Sequence, residues 1–309
     1  QNPGTPQNPG TPKPPVIQQG DLDGDGVVSS GEAVMSAYAP TYATNAGMTV
    51  TQAQTTAPLA GYAASTSQPI AAVSNTTGTF KQASISLAPG GTSLTIDVDG
   101  QSFTLPQIGG TTTGPLFKDG PEVTFYAFGA APGTNGDQAM AINQKYSSVS
   151  LFAKDLVVAT PTSGLKIGSY SLVATGLETP ASAIPAQIAT YRGQWGLAVV
   201  TENLGEGGVF TAKADFANRA LTYDVLVTEY GTGLPVDGGS GKATINGNQF
   251  VGGFQNTMQA GSKMWTTDGE VVGAFYGPNA EEIAGVISGG ATSTHGDSSP
   301  LAGYFLGAQ

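Results

Sequence analysis

Apolar and polar residues alternate with a period of two along much of the chain from Thr79 onward, and this pattern predicts β-strands. In the second half, it predicts eight strands, over residues 189–201, 208–216, 220–230, 241–246, 249–256, 269–276, 282–288 and 301–307. Short segments with Gly, Asn or Asp separate several of them, and we predict turns at 218–219, 246–248, 268–269, 277–279 and the glycine-rich 238–243. Eight short strands joined in this way are typical of an antiparallel up-and-down β-barrel.

The first half is also rich in strand patterns, with weaker regularity. Strands are predicted at 80–87, 94–98, 103–105, 122–128, 148–159 and 169–175, and Asp99-Gly100 is a predicted hairpin turn. Residues 176–187 contain two prolines and little periodicity, which is typical of a linker. We therefore predict an all-β protein, with a smaller β-rich domain and linker over residues 79–187 and an eight-stranded barrel over residues 188–309.

The N-terminal quarter differs in composition from the rest. Residues 1–16 repeat the unit QNPGTP and form a predicted proline-rich arm, which is either a polyproline-like spacer or a segment that docks onto a neighbour. Residues 17–78 combine an acidic loop with an Ala/Thr/Ser-rich segment. A helix is predicted at 29–38, capped by Ser29 or Ser30, and irregular chain with short helical or extended pieces is predicted at 39–78.

Composition excludes several functional classes. The 309 residues include 11 basic and 22 acidic side chains, one His and no Cys. A zinc site of Cys and His, a Cys nucleophile and a disulfide framework are thereby excluded. A net charge of −11 argues against nucleic-acid binding, and no apolar run has the length of a membrane-spanning helix. These features predict a non-enzymatic bacterial protein that is secreted or held at the cell surface.

The acidic loop at residues 21–32, DLDGDGVVSSGE, matches the calcium-binding pattern D-x-[DN]-x-[DN]-G-x₅-E at every specified position. Calcium prefers six to eight oxygen ligands. The pattern assigns carboxylates to Asp21, Asp23 and Asp25, the carbonyl to Val27, and a hydroxyl or bridging water to Ser29. Glu32 would close the site. Because prolines precede the loop, a full helix-loop-helix is not expected, and we predict a structural calcium site resembling that of a dockerin.

Four segments of the second half carry a family resemblance. They are TYRGQWG at 190–196, DFANRALT at 215–222, GAFYGPNAEEIAGV at 273–286 and GYFLGA at 303–308. Together they resemble the β-barrels of bacterial transferrin-binding protein B and its relatives, over residues 188–309. That resemblance implies a surface or secreted protein that binds a host protein such as transferrin or complement factor H, or that carries haem as hemophores do. Residues 79–180 would then form the handle domain that precedes such barrels.

The hemophore branch of that resemblance draws attention to His295, in a polar loop between the last two predicted strands. His295 is either a haem axial ligand or an exposed loop residue, and Tyr191, Tyr276, Met258 and Met264 are the candidates for a second ligand. Trp265, close to Met258 and Met264 in the sequence, is either an exposed anchor for a partner or a plug over the barrel end.

Two functional hypotheses follow. The first is a binding module of the transferrin-binding-protein-like class, with a host protein or a haem-like ligand as its partner and calcium as its cofactor. The alternative is a structural subunit of an extracellular filament or surface matrix, which self-assembles through its N-terminal arm or through strand addition.

Overall fold

The computed structural model describes residues 19–44, 47–67, 78–115, 122–131, 134–156, 169–199, 204–228, 235–260 and 263–309. The predicted proline-rich arm over residues 1–16 lies outside them. The described residues form two β-barrels and two α-helices, so the predicted all-β class is confirmed. Neither of these two helices has the length or the apolar composition of a membrane span.

The first helix, α1 (Ser30–Ala37), follows the acidic loop directly and confirms the helix predicted at 29–38. It begins with a capping box, in which the Ser29 hydroxyl accepts from the Glu32 amide and the Glu32 carboxylate accepts from the Ser29 amide. A two-residue strand, β1 (Thr41–Tyr42), and a second capped helix, α2 (Val50–Thr56), follow. These are the short extended and helical pieces expected within residues 39–78.

The first barrel contains nine strands. They are β2 (Leu59–Ser67), β3 (Thr79–Leu87), β4 (Ser93–Val98), β5 (Gln101–Pro106), β6 (Thr112–Pro115), β7 (Glu122–Gly129), β8 (Gly136–Asn143), β9 (Ser147–Leu156) and β10 (Ser169–Glu178). Each neighbouring pair is antiparallel, and β10 pairs with both β9 and β2. In the described residues, the chain end of β5 is joined to β7 only by a single β-bridge, between Gln107 and Phe128. We call this junction the seam.

The second barrel has the eight strands that the sequence predicts. They are β11 (Ile188–Val199), β12 (Leu204–Asp215), β13 (Ala220–Thr228), β14 (Pro235–Asn246), β15 (Gln249–Ala260), β16 (Lys263–Tyr276), β17 (Glu282–Ser293) and β18 (Ser298–Ala308). Each strand pairs with the next, and β11 pairs with β18 to close the barrel. The predicted turns at 218–219, 246–248 and 277–279 are confirmed.

Two predicted turns of the second half are wrong. Asp268-Gly269 lies inside β16, and the glycine-rich segment 238–243 lies inside β14. In the segment 238–243, glycine allows neighbouring strands to approach each other closely. A Cβ built on Gly241 would lie 2.3 Å from the ring of Tyr223, its direct partner across the strands. The glycine therefore makes room for an aromatic ring in a strand, as in strongly curved sheets.

The same arrangement recurs at two other places in this barrel. Phe250 lies over its cross-strand partner Gly273, and Phe305 lies over its partner Gly285. The interior is packed with buried aromatic rings, among them Trp195, Phe210, Phe254, Trp265 and Phe275. In the described residues, the core of the second barrel is therefore filled by its own side chains.

The two barrels pack against each other through a separate apolar cluster. Tyr62 and Ala64 of β2 and Leu172 and Ala174 of β10 contact the outer face of the second barrel, together with the two helices. From the second barrel, Val251, Val272, Ala274, Tyr276, Ala284, Val286, Ala302, Tyr304 and Leu306 contribute. One side of the second barrel, built mainly from β16 to β18, is thereby covered.

Candidate functional site

The acidic loop is tightly folded around its own carboxylates. Asp21 accepts hydrogen bonds from the amides of Gly24 (2.6 Å) and Gly26 (3.0 Å). Asp23 accepts from the Asp25 amide at 2.9 Å, and Asp25 accepts from the Val27 amide at 2.7 Å. Gly24 and Gly26 both have positive φ, of 83° and 92°, which side chains with a Cβ rarely adopt. The spacing of acid and glycine in this motif thus produces a tight turn that brings the aspartate oxygens together.

Three of the predicted calcium ligands lie together. Single carboxylate oxygens of Asp21, Asp23 and Asp25 all lie within 4.8 Å of one another. Burial is the main cause that raises the pKa of Asp23, and the negative charges of Glu32, Asp25 and Asp21 add to it. Such mutual repulsion is relieved by a bound cation.

The other predicted ligands are placed differently. Glu32 is buried and lies outside the three-aspartate group, where its carboxylate accepts from the amides of Leu22, Asp23 and Ser29. Ser29 uses its hydroxyl for the helix cap and also donates to Glu270 of β16. The side chain of Val27, whose carbonyl is the predicted ligand, is 64% exposed.

Glu270 connects the loop to the second barrel. Its carboxylate accepts from the Ser29 hydroxyl and from the Gly31 amide (3.3 Å). Burial raises the pKa of Glu270, and its hydrogen bonds to Ser29 and Gly31 oppose that shift. The start of α1 therefore lies against β16 at a partly buried carboxylate.

His295 lies in the exposed turn between β17 and β18. Its neighbours are polar: Ser293 donates to Asp297 at 2.9 Å, and Lys263 forms an ion pair with Asp297 at 2.9 Å. The hydrogen bond from Lys263 is the main cause that lowers the pKa of Asp297. Among the described residues, the barrel beneath this turn is filled by buried aromatic side chains.

The candidate second haem ligands divide into two groups. Tyr191, Tyr276 and Met258 are fully buried; Tyr191 donates to the carbonyl of Ala280 and Tyr276 shares a hydrogen bond with Tyr62. Met264, at 37% exposure, lies beside the His295 turn, where its carbonyl accepts from the Thr294 amide. Met258 and Met264 lie at the same end of the barrel as His295, with Met258 buried in the core, whereas Tyr191 and Tyr276 lie at the opposite end.

Trp265 is not an exposed anchor. It is fully buried, as is Met258, and both belong to the core of the second barrel. The segment that contains Trp265 is the start of β16, which pairs with β15 and β17. Of the two alternatives for Trp265, the exposed anchor is wrong, and the residue fills the end of the barrel.

Sequence reasoning missed two buried carboxylates between the barrels. Glu178, at the end of β10, accepts from the Tyr38 hydroxyl and from the Asn248 side chain. Glu282, at the start of β17, accepts from the amides of Lys145, Tyr146 and Ser147 and from the Ser147 hydroxyl. Burial raises the pKa of each of the two glutamates to about 7, although these hydrogen bonds oppose the shift.

These two glutamates link the two barrels, because each contacts a turn of the other barrel. Glu178 belongs to the first barrel and contacts Asn248 in the β14–β15 turn of the second. Glu282 belongs to the second barrel and holds the β8–β9 turn of the first. The only sequence signal was a glutamate in each of two otherwise apolar strand ends, which an exposed side chain would produce equally well.

Comparison with known families matches the second barrel. Residues 184–309 match the family model for the C-lobe and N-lobe beta barrels of Tf-binding protein B. The C-terminal barrel is similar to the barrels of that family. This match confirms the barrel resemblance seen in the sequence, whereas it says nothing of the acidic loop. The family is one of binding proteins.

Solved structures of the same type are also similar. A double mutant of the vaccine antigen transferrin-binding protein B from Haemophilus parasuis has 17% identity and a TM-score of 0.46, over 81% of this chain and 45% of that chain. A single mutant of the same antigen has 13% identity and a TM-score of 0.40, over 82% of this chain and 76% of that chain. The chain thus spans less than half the length of the first of these. The comparison with curated proteins gives no match.

Proposed function

We propose that this protein is a non-enzymatic binding module, secreted or held at the bacterial cell surface, and that it binds a host protein through the outside of its second barrel. The observation that carries the proposal is a barrel of the transferrin-binding protein B type whose interior is filled by its own aromatic side chains. A filled barrel is a rigid scaffold, and binding then depends on its outer surface.

The surface available for this role is the half of the second barrel that the first barrel leaves uncovered. It is built from β12 to β15, and Leu226 on β13 is 46% exposed there. A shallow groove runs beside Leu226 and is lined by Asp224, Ser240 and Gln255. A partly exposed Leu within a polar rim is the composition of many protein–protein contacts.

Transferrin is the first partner to test, with complement factor H as the second. The full chain, immobilised for interferometry, should bind one of them saturably. The variant Leu226→Asp should weaken that binding by about tenfold, because it removes apolar contact area and adds a desolvated charge. Met140→Asp, at a residue of the first barrel with 36% exposure, is the matched control and should leave binding unchanged.

Other outcomes separate the hypotheses. If neither protein binds, the host-protein proposal is wrong. If negative-stain images of the unliganded protein show filaments that disappear when residues 1–16 are deleted, the structural-subunit alternative replaces it. Equal weakening by both aspartate variants would place the binding surface elsewhere.

We further propose that the acidic loop binds calcium as a structural clip. Support comes from the complete match to the calcium-loop pattern and from the clustering of the Asp21, Asp23 and Asp25 oxygens. Because the same loop leads into α1, which contacts β16 through Glu270, calcium would stabilise the attachment of the N-terminal segment to the second barrel.

Thermal melting with and without a chelator tests the clip. Chelation should lower the melting temperature of the wild-type protein, and Asp21→Ala should melt at that lower temperature whether or not calcium is present. Asp224→Asn, at an exposed aspartate on β13, should keep the full response to chelation. An identical melting temperature for wild type with and without chelator contradicts a stabilising calcium site.

A further inference from the structure

One end of the first barrel contains a cavity that is lined by aromatic rings, hydroxyl groups and lysines. Its volume is about 230 Å³, and strands β2, β3, β4, β5, β9 and β10 contribute to it. Along β2, Ala63 belongs to the apolar core of this barrel, and Ser65, two residues further, lines the cavity. The alternation of the strand places both on the inner face, so the cavity is the mouth of the barrel.

The floor of the cavity is aromatic. Phe152 and Val98 are buried beneath it, and the ring centre of Phe103 lies 4.8 Å from that of Phe152. On one wall, Ser65 and Ser171, both more than nine-tenths buried, share a hydrogen bond of 2.9 Å. Apolar rings below and hydroxyl groups beside them are the usual composition of small-molecule sites, and barrel mouths are a usual place for them.

The rim of the cavity carries Lys81, Lys154 and Asp99, which leaves one positive charge in excess in a protein whose net charge is −11. The ammonium group of Lys154 lies 5.1 Å from the centre of the Phe103 ring, and in the described part of the chain it has no carboxylate partner. Lys81, also on the rim, forms an ion pair with Asp99 at 3.3 Å. A lysine that has no carboxylate partner among the described residues and that lies over an aromatic ring offers an anion both charge and an apolar surface.

We propose that this mouth binds a small organic anion with a flat apolar body, of the size of an aromatic carboxylate. The carboxylate would pair with Lys154, and the ring would lie against Phe103. This site is independent of the host-protein surface on the second barrel, since the two lie on different domains. A cavity without a specific anion site, by contrast, would bind cationic, neutral and anionic molecules with similar affinity.

Fluorine NMR of the full chain tests the site with 4-fluorobenzoate as the probe. Saturable binding is expected, and the neutral isostere 4-fluorobenzamide should bind about tenfold more weakly because it lacks the charge-assisted contact. Lys154→Met should weaken 4-fluorobenzoate by a similar factor, and Lys154→Arg should retain most of the affinity. Lys213→Met, at an exposed lysine on the second barrel, is the control and should bind as wild type does.

Three results would overturn the proposal. They are an absence of saturable binding to wild type, equal affinity for the benzoate and the benzamide, and equal affinity of wild type and Lys154→Met. The melting temperature of each variant should match that of wild type, and the Lys154→Arg variant separates loss of charge from a change in folding.

Discussion

The two barrels of this protein differ in how they close and in how they are filled. The second barrel closes through a continuous run of pairs from Arg192–Ala308 to Val199–Leu301. In the described residues, the first barrel closes at its seam through one bridge, Gln107–Phe128. The strands of the second barrel are also longer, up to 14 residues in β16, whereas those of the first have at most 10. Closure by many pairs leaves no open edge for another chain to join.

The cores of the two barrels differ as well. The core of the second barrel pairs large rings with glycines across neighbouring strands. The core of the first barrel has fewer aromatic rings and more aliphatic residues, such as Ile85, Leu94 and Ile96, and hydroxyl and lysine side chains follow at the mouth. Two barrels in one chain thus differ in their cores, since the described core of the second is dominated by aromatic rings and that of the first ends in a cavity with polar side chains.

The largest expected effect comes from emptying the filled barrel. Trp195 is fully buried and donates to the carbonyl of Leu226. Trp195→Ala should lower the free energy of unfolding by about 3–5 kcal/mol, because the cavity would not collapse. Phe103→Ala, at the half-buried mouth of the first barrel, should lower it by about 1–2 kcal/mol. Urea titrations measure both, and equal losses would contradict the difference between the barrels.

The next effect concerns the boundary between the barrels. Because burial raises the pKa of Glu178 from 4.5 to about 7, the folded protein binds more protons than the unfolded chain between these pH values. The contribution of Glu178 to the free energy of unfolding should therefore be fully present below pH 4.5. It should be lost as the pH rises through 7, which lowers the free energy of unfolding by on the order of 3 kcal/mol. Glu282 should add to this slope.

Denaturant titrations across that pH range measure the slope. Glu178→Gln should reduce it, since the amide does not ionise, and the exposed Asp224→Asn should leave it unchanged. A stability that rises between pH 5 and 7 in the wild type, by contrast, would show that the two glutamates are ionised in the folded protein.

A matched pair of glycines tests the packing of rings over glycines in the second barrel. A Cβ at Gly241 would lie 2.3 Å from the Tyr223 ring and 2.4 Å from the carbonyl of Gly253, whereas a Cβ at Gly253 would meet nothing within 4 Å. Gly241→Ala should cost about 1–3 kcal/mol, and Gly253→Ala should be neutral or slightly stabilising. Thermal melts of the two variants decide the matter, and a neutral Gly241→Ala would show that the ring is not held there.

The smallest effect is local and concerns the seam. Amides of β5 should exchange with solvent faster than those of β11, because β11 is paired on both sides along most of its length and β5 is not. Hydrogen exchange followed by mass spectrometry measures this difference without any mutation. Equal protection of β5 and β11 would mean that the first barrel is closed as firmly as the second.

The parts that the sequence predicted well are those in which local pattern and environment agree. The strands β12, β13 and β15 alternate between a packed interior and an outer face, so their periodicity is visible, whereas β17 and β18 are buried on both faces and form apolar runs that follow turns. The acidic loop was also predictable, because its carboxylates and glycines lie within 12 contiguous residues. The strand β2 was missed because both of its faces are buried, and its Ala, Gly and Ser residues give no alternation.

The remaining errors come from contacts between distant residues. Glycines in β14 indicated a turn, because a sequence cannot show that the Tyr223 ring lies over Gly241. The role of Glu282 depends on amides 135–137 residues earlier in the chain, and that of Glu178 depends on Tyr38, 140 residues earlier. The sequence left two alternatives open for Trp265, because only the pairing of β16 shows that this residue lies inside the barrel.

Titration of the full chain with haemin tests most directly whether the second barrel is a filled scaffold. If its interior is occupied by its own aromatic side chains, haemin has no enclosed site next to His295. The Soret band should then be the same for wild type and His295→Ala, and the fluorescence of the buried Trp195 and Trp265 should show no saturable quenching. A Soret shift in wild type that disappears in His295→Ala would contradict the account and favour the haem-carrier alternative.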